Sequence, residues 1–184
     1  STGGGGSQVI NSSNTWQKNI SNYVDANGRW IKNAACTLYA KWTEKTYSLT
    51  FKHDGNGTIK VGGTTVNSGG TASVNHVNTK TLVATANTGY NFSGWALSGS
   101  NTSAVTIGNT SAASTTIKAT NTGATVTANF TPKTYAITLN ANGGASNGSA
   151  TATYNSNTVK NATYPTRTDY RCNGYYTATS DGTL

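Results

Sequence analysis

Apolar and polar residues alternate at a spacing of two along several short segments of this chain. Residues 47–51 and 135–139 place an apolar side chain at every second position, which is typical of a strand with one buried face. Residues 59–61 and 64–66 flank a two-glycine turn and predict a β-hairpin. Further strands are predicted at residues 105–107, 117–119 and 126–128. The pattern therefore predicts an all-β (mainly β) chain.

The composition supports strands and turns and indicates small cores. Only 34% of the residues are hydrophobic and 10% are charged, both below the usual values for soluble domains. Asn, Thr, Ser and Gly replace them, and these residues disfavour helix interiors. Thr is also β-branched and favours strands. The sequence contains no Met, so we expect it to be a segment cut from a longer precursor.

An internal repeat organises the chain. Residues 43–47 match residues 131–135 at an offset of 88 residues, and the match continues in both directions. Upstream, Leu38, Ala40 and Trp42 fall on Val126, Ala128 and Phe130, and downstream residues 47–51 fall on 135–139. A second match, offset by 80 residues, aligns 89–95 with 169–175. A repeat period of this size predicts tandem modules.

Three segments resemble the internalin-type B repeat, also called the Listeria–Bacteroides repeat. Residues 37–42 (TLYAKW) resemble its closing strand, and residues 135–144 (YAITLNANGG) resemble its opening strand and turn. Residues 167–177 (RTDYRCNGYYT) resemble its third hallmark, although Cys172 stands where Phe is usual and Tyr175 where Trp is usual. Residues 46–130 resemble the divergent relative of the repeat.

This resemblance implies tandem small β modules, with B-repeat, β-grasp-like halves flanking a divergent β-sandwich-like repeat. It also implies a structural or adhesive repeat of an extracellular bacterial surface protein, and it brings no catalytic residues. We therefore predict that the chain is not an enzyme and needs no cofactor. The residues predicted for the module cores are Tyr39, Trp42, Tyr47, Tyr90, Phe92, Trp95, Phe130, Tyr135, Tyr170 and Tyr175.

The chain is out of phase with its repeat. Residues 1–43 correspond to the C-terminal half of a B repeat, 44–132 to a complete divergent module, and 133–184 to an N-terminal half. Half a module cannot bury its apolar face. Either identical copies follow one another in a long chain, or separate protomers complete each other head to tail. The third possibility is that the boundaries are arbitrary.

The two cysteines fall in complementary halves of the split repeat. Cys36 precedes the closing strand, and Cys172 lies in the third hallmark. Disulfides persist outside the cell and stabilise domains with small cores. We therefore predict a disulfide from Cys172 of one copy to Cys36 of the next, with two buried free thiols as the alternative.

No arrangement of titratable residues predicts catalysis or metal binding. The five acidic residues form no close pair suited to glycoside hydrolysis. His53 and His76 have no metal-ligating neighbours at a suitable spacing. Loops beginning at Asp25 and Asp54 lack the further acids of a calcium loop and are predicted to be turns.

Three aromatic residues of the first half repeat suggest the competing function. Trp16, Tyr23 and Trp30 lie in a polar, Asn-rich segment, and exposed aromatics can stack on sugar rings. They are possible glycan contacts, and the alternative function is a carbohydrate-binding module attached to a secreted enzyme or adhesin. Capping of a small core is the competing explanation for these side chains.

The charge and hydropathy patterns define the expected partners. The net charge is +8, but the cations are spread singly, so a specific nucleic-acid partner is not predicted. Weak attraction to cell-wall polymers or other glycans is expected. No apolar run is long enough to span a membrane. The predicted partners are further copies of the chain, and the predicted location is the bacterial cell surface.

Overall fold

The structure is a computed structural model that describes residues 7–177. The chain divides into two compact units, residues 1–43 and 44–184. Within residues 7–177 there is no α-helix, and one 3-10 turn spans Thr102–Ala104. The prediction of an all-β chain built from small modules is confirmed.

Nine strands form a two-layer module in the second unit. The first layer has the order β4-β1-β9-β6 and the second the order β3-β2-β5-β8-β7. The strands are β1 (Thr46–His53), β2 (Gly57–Val61), β3 (Thr64–Val66), β4 (Thr71–Asn75), β5 (Lys80–Ala86), β6 (Tyr90–Gly99), β7 (Val105–Ile107), β8 (Ser114–Ala119) and β9 (Ala124–Pro132). β2 and β3 form the predicted hairpin, with Val61 opposite Thr64.

The alternating apolar residues of both layers meet in one core. Leu49 and Phe51 of β1 are almost completely buried, as are Ile59 of β2 and Val126 of β9. Trp95 and Phe130 are also buried, whereas Tyr47, Tyr90 and Phe92 are partly buried and pack against the core. The period-two pattern creates this arrangement because it directs one face of each sheet inward.

β9 is the central element of the first layer. It pairs with β1 in parallel, with Thr50 opposite Thr125, and with β6 in antiparallel orientation. The β6 ladder shifts register between Phe92 and Gly94, where Gly94 has φ of 145°. A β-bulge of this kind inserts an extra residue and bends the strand. β6 is the edge strand of this sheet and pairs with β9 alone.

A three-stranded sheet follows the module. β10 (Thr134–Leu139), β11 (Gly148–Thr153) and β12 (Val159–Lys160) lie in that order. The β10–β11 ladder has the same register as the β1–β4 ladder. Thr46 pairs with Asn75 and its repeat equivalent Thr134 pairs with Thr153. We use "repeat equivalent" for the residue that occupies the same position in the other copy of the internal repeat.

The first unit is formed by short turns. Isolated bridges join Ile10 to Trp16, Ile20 to Val24, and Val24 to Trp30. Asp25 forms the predicted turn, because its Oδ1 accepts hydrogen bonds of 2.9 Å and 2.8 Å from the backbone N–H groups of Asn27 and Arg29. Val24 is the one apolar residue buried in the described part of this unit.

Four aromatics predicted for module cores are exposed in this chain. Tyr39 and Trp42 are each 89% exposed, and Tyr135 and Tyr170 are exposed as well. Residues 37–42 form no strand, since no described residue of their own unit offers them a ladder. For Tyr39 the predicted core position also disagrees with the alignment of the internal repeat. It falls on Thr127, between the buried Val126 and Ala128, and so belongs to the opposite sheet face.

Candidate functional site

The second half repeat presents an open sheet edge on β10. In the complete module β1 lies between β4 and β9. Its repeat equivalent β10 pairs with β11 alone. The side of β10 that corresponds to the β9 side of β1 therefore carries backbone N–H and C=O groups without a described strand partner. Such an edge is a template for pairing with another chain.

Residues 169–177, which we call the β6-like segment, match β6 and the residue before it at two positive-φ positions but form no strand. Asp169 has φ of 61° and its repeat equivalent Gly89 has φ of 83°. Gly174 has φ of 134°, close to the 145° of Gly94 at the bulge. The N–H of Tyr170 donates to the carbonyl of Arg167 over 3.1 Å, as Tyr90 does to Asn87 over 3.0 Å. The turn before the segment and the glycine at the bulge position therefore have the same local conformation in both modules.

Tyr175 holds this segment against the preceding loop. Its hydroxyl donates a hydrogen bond of 2.8 Å to the carbonyl of Thr163, and its ring stacks on Tyr164 at a centroid distance of 5.6 Å. Partial burial raises the pKa of the Tyr175 hydroxyl, and the charges of Cys172 and Tyr164 raise it further. The repeat equivalent Trp95 makes the same kind of contact, donating from Nε1 to the carbonyl of Ala112 over 2.9 Å.

The two cysteines are exposed and unpaired within the described chain. Cys172 lies in the β6-like segment, and its Sγ is 3.8 Å from the carbonyl oxygen of Gly174. Cys36 directly precedes the closing-strand sequence of the first unit. A disulfide between successive copies involves two chains and stays a prediction. If identical copies follow one another in a long chain, residue 184 of one copy precedes residue 1 of the next. Both of these residues lie outside the described part of the chain.

The structure brings together the three aromatics that suggested glycan binding. The ring centroids of Trp16 and Trp30 are 4.9 Å apart, and those of Tyr23 and Trp30 are 5.9 Å apart. Both Trp side chains are 36% exposed. The ammonium of Lys32 lies 5.2 Å from the centre of the Tyr23 ring, within range of a cation–π contact. These residues form a surface, which we call the aromatic cluster.

The other polar candidates are dispersed. Among residues 7–177 no three His, Cys, Asp or Glu side chains are placed to hold a metal ion. His53 serves a local turn, where its Nδ1 accepts from the N–H of Gly55 over 3.1 Å. No helix in this described range has the length and apolar character needed to cross a membrane.

Two protein-family models together match most of the chain. The family model of the divergent InlB B-repeat domain matches residues 47–134, and that of the Listeria–Bacteroides repeat domain matches residues 135–184. Residues 47–184 therefore belong to these two repeat families. Both B-repeat families are non-catalytic and typical of bacterial surface proteins. No curated protein matches the chain significantly, and no solved structure does either.

Sequence reasoning identified the aromatics of the B repeats but missed the open backbone edge of β10. An edge is made of backbone groups, and Thr138 in the middle of β10 is an exposed residue with no distinctive side-chain chemistry. A signal was nevertheless present, because the offset of 88 residues places Thr138 on Thr50. Thr50 pairs with Thr125 of β9, so the repeat marks Thr138 as a residue that needs a second neighbour.

Proposed function

We propose that the chain is a structural and adhesive repeat of a bacterial extracellular surface protein or filament, in which copies assemble head to tail by completing split B repeats. The open edge of β10 is the observation that carries the proposal. One half repeat lacks its closing strand, and the other half contains that strand's sequence at residues 37–42 without a sheet. Each half supplies what the other lacks, so the contact between copies is heterologous and propagates.

The exposure of Trp42 supports this function. A side chain of this size that is 89% exposed is costly to leave in water, since about 25 cal/mol is gained per Å² of apolar surface buried. Its repeat equivalent Phe130 is buried, with a ring centroid 5.9 Å from that of Phe92. Assembly gives Trp42 the same environment in a second copy.

Sedimentation of the purified chain over a concentration series tests the proposal. We expect species at multiples of the 19.0 kDa protomer. Trp42→Ala should raise the dissociation constant by more than about 100-fold, since truncating a buried Trp costs about 3–5 kcal/mol. The matched control is Tyr39→Ala, since Tyr39 is equally exposed but belongs to the other sheet face. A monomer at all concentrations, or equal effects of both substitutions, would contradict the proposal.

The aromatic cluster favours glycan binding as a second candidate function. The ring of Trp30 lies within stacking distance of those of Trp16 and Tyr23, and all three side chains stay at least partly exposed. Aromatic faces beside a cationic Lys32 suit a sugar polymer that also carries acidic groups, since the rings bind apolar sugar faces and the ammonium attracts the acid.

A binding assay with purified cell-wall polysaccharide tests this candidate. Trp30→Ala should weaken binding at least tenfold, because Trp30 touches both other rings. Tyr39→Ala is the matched control, since it removes an exposed aromatic side chain of the same unit that lies outside both the cluster and the proposed contact between copies. Undetectable binding by the wild-type chain, or equal losses in both variants, would exclude the aromatic cluster as a glycan site.

A further inference from the structure

The complete module specifies how a second copy would close the half repeat. In that module the order β4-β1-β9-β6 places the closing strand in the middle of the sheet. β11 and β10 are the repeat equivalents of β4 and β1, and residues 170–177 are those of β6. The position equivalent to β9 is the one that the described half repeat leaves open.

We infer that residues 37–42 of a second copy insert as a parallel strand between β10 and residues 170–177. This inference rests on the proposed head-to-tail function and adds strand order, orientation and register to it. Thr50 pairs with Thr125, and Phe51 with Val126. The same register pairs Thr138 with Thr37 of the incoming copy, and Leu139 with its Leu38.

A ladder hydrogen bond at the start of β10 and the turn after the strand support this register. The N–H of His76 donates to the carbonyl of Lys45 over 3.0 Å, and the N–H of Tyr154 donates to Lys133 over 2.8 Å. Gly55 and Gly143, which are repeat equivalents, have φ of 90° and 86°. The start of the strand and the turn that follows it therefore have the same form in both modules, although the described second half repeat has neither a β9 equivalent nor a second sheet layer.

The β6-like segment completes the inserted strand on its other side. Phe92 pairs with Phe130 and Trp95 with Ala128, which corresponds to Cys172 beside Trp42 and Tyr175 beside Ala40. Gly174 already has the positive φ that the bulge requires. Insertion would therefore turn residues 170–177 into a strand and leave the sign of φ at Gly174 unchanged.

This register is incompatible with the disulfide predicted from the sequence. Cys172 lies opposite Trp42, and Cys36 lies six residues away along the inserted strand, at roughly 20 Å. A disulfide needs Cα atoms less than about 7 Å apart. The repeat equivalent of Cys36 is Ala124, which is buried. Strand insertion therefore places Cys36 at a buried position and Cys172 at the partly buried position of Phe92, as separate thiols.

Hydrogen exchange on the wild-type chain tests the strand order. The amide exchange rates are compared at protein concentrations below and above the midpoint of assembly found by sedimentation. We expect at least tenfold slower exchange in residues 37–42, 134–141 and 170–177 on assembly, with no change in β12. β12 is the matched control because it is the other edge of the same sheet. Assembly with protection of β12 in place of β10 would overturn the inference while leaving the proposed function intact.

Cross-linking of two single-thiol chains tests the register. Both chains carry Cys36→Ala and Cys172→Ala, so that each has one thiol. One chain adds Thr37→Cys and the other adds Thr138→Cys. Mild oxidation of the mixture should give a disulfide-linked dimer. The control replaces Thr138→Cys by Thr134→Cys, four residues away on the same face of β10, and should give at least tenfold less product. Equal yields from both pairs would overturn the register.

The native cysteines supply a third readout. Mass spectrometry of oxidised wild-type assemblies should find Cys36 and Cys172 as free thiols. A disulfide joining them between copies would overturn strand insertion in this register, although head-to-tail assembly would remain. A chain that stays monomeric at every concentration would overturn the proposed function and this inference with it.

Discussion

The aromatic ring of Tyr154 lies directly against the Cα of Gly89. A Cβ at Gly89 would stand 2.3 Å from Cδ1 of that ring, so no larger residue fits without displacing the ring. Tyr154 also packs edge to face on Tyr90, with ring centroids 5.6 Å apart. The N–H of Lys133 donates to the carbonyl of Gly89 over 2.8 Å. These contacts join the three-stranded sheet to the complete module.

Gly89→Ala should destabilise this junction more than its backbone conformation alone explains. A positive φ costs an Ala about 1–2 kcal/mol, and overlap with the Tyr154 ring adds about 1–3 kcal/mol. Gly63→Ala is the matched control, since Gly63 has φ of 85° and a Cβ added there would meet nothing within 4 Å. Urea denaturation of both variants measures the difference, and the double variant Gly89→Ala/Tyr154→Ala should recover part of it. Equal losses in the two glycine variants would contradict the packing argument.

Equivalent positions in the two modules should differ in their contribution to stability. Leu49→Ala should lower the free energy of unfolding by about 2–5 kcal/mol, because Leu49 is buried between two sheets. Its repeat equivalent Ile137 is partly exposed, so Ile137→Ala should cost less than half as much in the unassembled chain. Thermal unfolding at low protein concentration makes the comparison. A larger loss for Ile137→Ala would show that the β10 sheet already has a closed core.

Trp95→Phe should cost about 1–3 kcal/mol although the aromatic ring is kept. The Nε1–H of Trp95 donates to the carbonyl of Ala112 over 2.9 Å, and its loss leaves a partly buried acceptor unpaired. Tyr175→Phe removes the equivalent bond to Thr163 at a more exposed site, so its effect should be smaller. Chemical denaturation ranks the two variants, and the reverse order would contradict the argument.

The turn after β4 should weaken at acid pH through Glu44. The Oε2 of Glu44 accepts a hydrogen bond of 2.8 Å from Nδ2 of Asn78, and its Oε1 accepts two bonds of 2.6 Å from the N–H groups of Val77 and Asn78. The side-chain bond from Asn78 is the largest cause that holds the pKa of Glu44 below its ordinary value of 4.5. A lowered pKa means that the stabilisation is present above 4.5 and is lost as the pH falls through the folded-state pKa.

The measurement for Glu44 is the melting temperature between pH 7 and pH 2. We expect the wild-type chain to lose more stability than Glu44→Gln below pH 4.5, because only the carboxylate titrates. Asp54→Asn serves as the control, since the carboxylate of Asp54 accepts only the N–H of Asn56 among the described residues. Parallel pH profiles for wild type and Glu44→Gln would contradict the assignment.

Much of the fold was readable from the sequence, whereas part of the candidate site was not. Alternation at 47–51 and the glycine pair 62–63 are local signals, and both produced the predicted structure. Residues 38–42 have the same alternating pattern, but they form no strand and Trp42 lies exposed. The reason is that a strand needs a neighbouring ladder, which local periodicity cannot supply. The aromatic cluster was foreseen as three residues, but only folding brought their rings within 4.9 Å and 5.9 Å of each other.

The sequence by itself determined the strand class, the repeat and the family, because these depend on the order of apolar, polar and glycine residues. The tertiary structure decided which strands obtain neighbours. β1 receives β9 and becomes a central strand, while β10, with the same pattern, stays at an edge. Hydrogen-bond pairing between distant segments makes this difference. That pairing sets the register of β1 with β9, from which we inferred the place of residues 37–42 in a second copy.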